Sequence, residues 1–199
     1  MPHISLAPNQ PGMVALSSYR PDVFSRLASL ANLLLHQQHP CSTLSPGDRE
    51  LIASYVSYLN HCDYCHISHG AVAAAHLQNP KLVEDVKCDY EKSEASPKMK
   101  ALLRIAGMVQ KSGREVSSEA VESAKRNGAS EMDVHDTVLI AAAFCMFNRY
   151  VDGLATEMPG DLEAFMRRGV VIAEKGYERT PVPVEAIGKG EKNEVDEAT

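Results

Sequence analysis

Residues 44–77 read LSPGDRELIASYVSYLNHCDYCHISHGAVAAAHL, two helical patterns with a cluster of thiols and imidazoles at their junction. Ser45 suits an N-cap, and Pro46 suits the first helical position, where its missing N–H is not needed. Asp48 stands three residues after the cap, the capping-box position with a shorter acid. This pattern predicts a helix from Ser45 to about Asn60. The alanines of AVAAAHL favour helix and let neighbouring helices approach closely, so a further helix is expected from about Cys62 to Leu77. On that helix Cys62, Cys65 and His69 fall at i, i+3 and i+7 and share one stripe. His66 lies on its flank, and His61 precedes the helix.

The rest of the chain carries the same periodicity. PDVFSRLASLANLLLHQQ starts with Pro21 in a first turn, spaces Val23, Leu27, Leu30 and Leu34 along one face, widens the stripe with Phe24 and Leu33, and must end before Pro40. Asn79 and Pro80 stop the Cys-containing helix, and a brief helix plus a surface loop is expected after them. A helix after Ser96–Pro97 has Met99, Leu102, Leu103, Ala106 and Val109 on one face, with Gly113 at the position of a left-handed C-cap. A weakly amphipathic helix closes at Asn127–Gly128. Ser130 and Asp133 then repeat the capping box before a helix whose residues 138–147 are all apolar, which predicts burial on every side, in the core or against another subunit. A last helix is expected from about Leu162 to Gly176. No segment of length alternates with the period of a half-buried strand, so the chain reads as all-α, a bundle of about six to eight helices. Residues 1–20, with three prolines, read as an extended arm, 21–177 as the helical domain and 178–199 as a polar tail.

Composition narrows the function. A net charge of −6 offers no basic stripe to neutralise phosphates, so no nucleic-acid partner is expected. No apolar run spans a bilayer and the amino terminus lacks the order of a signal peptide, so the protein is expected to be cytoplasmic and away from the membrane. Five cysteines, scattered except for one close pair, argue against a secreted disulfide framework.

A C-x-x-C pair at a helix N-terminus is close enough to form a small disulfide, and the unpaired amides there favour thiolate over thiol. The dipole argument selects Cys62, nearer the helix start, as the nucleophile. The histidine argument selects Cys65, because His69 follows it by one turn and can accept or relay its proton. Glu50, twelve residues before Cys62, is the candidate carboxylate for orienting that histidine.

Glu50, Cys62, Cys65 and His69 are spaced as Glu, eleven residues, Cys, two residues, Cys, three residues, His. With its flanks, this segment resembles the active-site segment of the alkylhydroperoxidase D-like, carboxymuconolactone decarboxylase superfamily, particularly the peroxidase-related branch. YRPDVFSRLASLANLLL before it and FNRYVDGLA at 147–155 also resemble that branch, so the likeness covers roughly residues 12–175. The resemblance implies an all-helical, homo-oligomeric protein (dimer, trimer or hexamer) with thiol peroxidase or disulfide reductase activity and no bound cofactor. It further implies that Cys65 is oxidised by a hydroperoxide, that Cys62 donates a proton and resolves the sulfenic acid, that Glu50 and His69 relay the proton, and that an external dithiol restores the pair. One departure stands out: alkylhydroperoxidase D has a histidine between the cysteines where this chain has Tyr64.

Tyr64, His66, Asn148 and Arg149 are further pocket-lining candidates, with Asp152 in the same polar group as the last two. Two other chemistries fit parts of the pattern. Glu50 and His69 alone could serve as base and acid in lactone decarboxylase-type chemistry, and the thiols alone could make a redox or metal sensor without catalysis. A zinc site would need another ligand beside Cys62, Cys65 and His69, and no second C-x-x-C or H-x-x-x-H exists to supply it, so no metal is expected.

Overall fold

The computed structural model describes residues 1–6, 10–158 and 160–177. Helices α1 (Gly12–Ala15), α2 (Pro21–Ala31), α3 (Pro46–Leu59), α4 (Asp63–Leu77), α5 (Pro80–Asp89), α6 (Pro97–Lys111), α7 (Ser118–Arg126), α8 (Glu131–Gly153) and α9 (Leu162–Lys175) follow one another, with no strand among the described residues. The protein is all-α. The nine α-helices of the described residues exceed the expected six to eight only through α1, a single turn. The expected tail 178–199 lies outside the described residues.

Both capping boxes form: Ser45 with Asp48 starts α3, and Ser130 with Asp133 starts α8. Asn79, Ser96, Ser117 and Asp161 cap α5, α6, α7 and α9 through their side chains. The core lies among α3, α6 and α8, where Ile52, Val56, Leu102, Leu103, Ile105, Ile140 and Phe144 are essentially sealed from solvent. α4 packs between α3 and α9. Among the described residues no helix is long and apolar enough to cross a membrane.

Several local expectations change. The arm is not extended throughout: residues 12–18 turn into α1 and a 3-10 turn, bury Ala15 and Leu16, and are tied to the α8–α9 segment where Gly12 N–H donates to Glu157 C=O. The α2 stripe does not continue as α-helix, because residues Asn32–His36 form a π turn that buries Asn32, Leu34 and Leu35 and leaves Leu33 exposed. Gly113 is not left-handed; Ser112 is extended and caps a 3-10 turn there. Within the single chain the core covers only part of the apolar run of α8: Leu139, Ala142 and Met146 form an exposed stripe at i, i+3 and i+7, so the expected burial is not met by the core alone.

Two buried charges hold the start of α3. Arg49, 2% exposed, donates to Asp136 at 2.7 Å and to the carbonyls of Leu34 and Leu44. Removing one member of such a pair strands the other and costs about 3–5 kcal/mol. Asp133 accepts from Ser42 Oγ, Thr43 N–H, Thr43 Oγ1 and Ser130 N–H, which pins the segment leading into α3 onto α8. Burial opposes its ionisation, but the bonds from Thr43 and Ser130 prevail and hold the carboxyl down at about 2.

Asp133→Asn is therefore expected to lower unfolding free energy by about 2 kcal/mol in urea at neutral pH. A depressed carboxyl stabilises the fold above its unfolded value and loses that contribution as pH falls through the folded one. The gap between wild type and variant should thus narrow below about pH 4 and be largely gone near pH 2. At Gly169, where α9 meets α4, an added Cβ would lie 2.7 Å from the Ala71 carbonyl carbon. Gly169→Ala should destabilise by about 1–3 kcal/mol in the same assay; an unchanged midpoint would mean that α9 is not seated on Ala71.

Candidate active site

The chain passes from α3 to α4 through a Schellman motif. His61 takes the left-handed position (φ 59°), His61 N–H donates to Tyr58 C=O, and Cys62 N–H donates to Ser57 C=O. Cys62 thereby terminates one helix and serves as the N-cap residue of the next. Cys65 occupies the third position of α4, and His69 follows one turn later, on the same face.

Both thiols are free and buried. Cys62 is completely enclosed. Its hydrogen bond to Cys65, its burial and the nearby Cys65 charge push its thiol well above the usual range, and Asp152, which accepts from it, acts in the same direction. Burial also raises the Asp152 carboxyl, against the lowering effect of the Cys62 bond. These effects favour the thiol form of Cys62. Cys65 instead lines a cavity of about 110 Å³ walled by Met13 and Val14 of the amino-terminal segment, by α2, by Tyr64, Ser68 and His69 of α4, by Phe144 and Phe147 of α8, by α9, and by Gly176 and Tyr177.

Glu50, on α3, is 1% exposed and lies behind the cavity wall, where it meets His69 and Tyr177. Its Oε2 lies 2.8 Å from His69 Nδ1, and its Oε1 accepts from the Tyr177 hydroxyl at 2.6 Å. The carboxylate can only accept, so the Nδ1 contact carries the ring proton, which leaves Nε2 as the acceptor atom of the neutral ring. The edge of Phe144 packs against the imidazole with centroids 4.6 Å apart. Burial lowers His76, and the Glu50 charge works against that lowering.

The other candidates separate. Tyr64 lines the cavity, packs edge-on against Phe165, and accepts from Arg168 at 3.3 Å; an added Cβ at Gly12 (φ +55°) would collide with its ring. His66 points elsewhere: its Nε2 lies 3.4 Å from Asp63 and its ring packs edge-on against Tyr58. Burial, then the nearby Lys87 charge, lowers it. Asn148 is buried, but it bonds Ser57 and Asn60 and is not part of the cavity wall. Arg149 is exposed and donates to Cys145 C=O within α8. Among the described residues no three His, Cys, Asp or Glu side chains group so as to hold a metal. The thiol–carboxyl contact of Cys62 with Asp152, and the Tyr177 hydroxyl on Glu50, are the contacts that spacing along the chain does not reveal. For Tyr177 the signals are faint, a lone aromatic after a helix-ending glycine.

No protein-family model and no curated protein matches the chain. Among solved structures, the chain is similar to an alkylhydroperoxidase AhpD core, an uncharacterized peroxidase-related protein from Ralstonia eutropha JMP134, with 26% identity, a TM-score of 0.71, and 80% of this chain and 81% of that chain covered. An uncharacterized peroxidase-related protein from Silicibacter sp. TM1040 shares the fold, with 23% identity, a TM-score of 0.68, and 75% and 77% of the two chains covered. Fold and structural neighbours together show that the chain has an alkylhydroperoxidase D-like fold, similar to that of these peroxidase-related proteins.

Proposed function

We propose that the protein is a thiol peroxidase that reduces small organic hydroperoxides with Cys65 as nucleophile and Cys62 as resolving thiol. The observation that carries this reading is the placement of Cys65 on the wall of a largely apolar cavity, one helical turn from an imidazole that is hydrogen-bonded to a buried carboxylate. Glu50 orients His69, whose Nε2 takes the Cys65 proton. The thiolate attacks the terminal peroxide oxygen, the O–O bond breaks, and the alkoxide leaves as alcohol after protonation. Cys65 becomes a sulfenic acid, oxidised by two electrons. Cys62 then attacks the Cys65 sulfur, water departs, and a disulfide forms. An external dithiol reduces that disulfide by exchange and is itself oxidised. Phenylalanine, leucine and methionine in the cavity wall favour an alkyl or aryl group on the peroxide over bare hydrogen peroxide.

Cys65→Ser should abolish consumption of an alkyl hydroperoxide in the presence of a dithiol. Cys62→Ser should instead leave a sulfenic acid at Cys65 that dimedone labels. Full turnover in Cys65→Ser would overturn the reading and favour acid–base lactone chemistry at Glu50 and His69. The reading includes self-assembly, because the α8 stripe of Leu139, Ala142 and Met146 exposes apolar surface beyond the monomer's own core. Met146→Glu should shift sedimentation toward a smaller species; a wild-type protein that sediments as a monomer at micromolar concentration would refute the assembly.

A further inference from the structure

We propose that Tyr177 is a positioning residue of the Glu50–His69 pair, its hydroxyl fixing which nitrogen of His69 is basic; the proposal deepens the peroxidase reading and rests on it. Glu50 presents two buried oxygens, and each receives one donor: Oε2 from His69 Nδ1–H and Oε1 from Tyr177. The same hydroxyl lies 3.0 Å from His69 Nδ1, so three groups close a small ring of contacts, with the Tyr177 and His69 rings 5.7 Å apart. A buried carboxylate with one unfilled oxygen could draw the imidazole proton toward itself or recruit water. Tyr177 fills that oxygen. Glu50 then stays an acceptor, Nδ1 keeps its proton, and Nε2 stays available to Cys65.

The phenol is suited to donating. Burial, followed by the Glu50 charge and hydrogen bond, pushes Tyr177 well above its usual range, so it remains protonated at any pH at which the fold is useful. Arg168 and Tyr64 from α9 and α4 are the remaining groups that bear on it. Its placement is also specified by the backbone. Gly176 has φ +74°, where an added Cβ would come within 2.2 Å of Asn32 Oδ1. Tyr177 N–H donates to that same Asn32 oxygen at 3.0 Å. Asn32 is buried at the start of the π turn after α2. A glycine turn and a side-chain latch thus converge on one hydroxyl.

A ring that merely fills space would be replaced without loss by phenylalanine, and this separates the two roles. Tyr177→Phe is expected to slow both peroxide turnover and alkylation of Cys65 by iodoacetamide roughly tenfold, the loss expected for one hydrogen bond to a charged group. Imidazole nitrogen NMR should show His69 protonated at Nδ1 in the wild type and mixed between the nitrogens in Tyr177→Phe. Asn32→Ala, which removes the latch and keeps the hydroxyl, should move the same readouts in the same direction and decides the matter if the first variant fails to fold. Wild-type alkylation and tautomer in Tyr177→Phe, or in Asn32→Ala in that event, would overturn the proposal. If the wild type consumes no peroxide but Tyr177→Phe still changes alkylation and tautomer, the peroxidase reading fails and the positioning role stands. If turnover is normal in the wild type and unchanged in Tyr177→Phe, the role fails alone.

Discussion

A carboxylate that is 1% exposed must have its oxygens satisfied by the protein, and Glu50 imposes this requirement on the structure around it. The preceding residue, Arg49, is equally enclosed and is anchored to Asp136 on α8 and to carbonyls at Leu34 and Leu44. One end of α3 is thereby fixed in three directions before Glu50 makes a contact of its own. Asp133 reinforces this from the other side by holding residues 42 and 43. The donors that reach Glu50, His69 from α4 and Tyr177 from beyond α9, then determine how those elements dock.

The two thiols show how competing local effects are resolved. A helix N-terminus stabilises a negative charge, and by that criterion Cys62 would be the more acidic of the pair. Its hydrogen bond to Cys65 and its complete burial act the other way, with a smaller push from the Asp152 carboxyl. The Cys65 contact and desolvation outweigh a partial charge, so the residue closest to the helix end is the one that favours the thiol form. Cys65, three residues further along, lines the cavity instead.

Most of the helices were legible because their signals are local. Serine or asparagine caps, prolines at first helical positions and 3.6-residue stripes each depend on neighbours within a turn, and the Ser45–Asp48 and Ser130–Asp133 boxes form as the sequence implies. The Glu–Cys–Cys–His spacing was legible for the same reason, two helices joined by a short turn. What escaped depends on contacts between distant segments. The π turn at 32–36 has no strong local mark, the amino-terminal segment folds because Ala15 and Leu16 find a surface to cover, and α8 exposes Met146 although its run is uniformly apolar. Asn148 and Arg149 lie on α8 near the junction but serve its packing and its own backbone. Tyr177 was invisible because its partner is 127 residues away in sequence.

That separation also orders events in time. A chain emerging from synthesis carries both cysteines long before it carries Tyr177, and the contact between residues 50 and 177 has a large loop to close. α4 can form with its thiols in place while the cavity still lacks α9 and the residues after it. The cavity is therefore among the last parts of the molecule to be completed, and the wall around Cys65 is whole only once the carboxy-terminal part of the domain has docked.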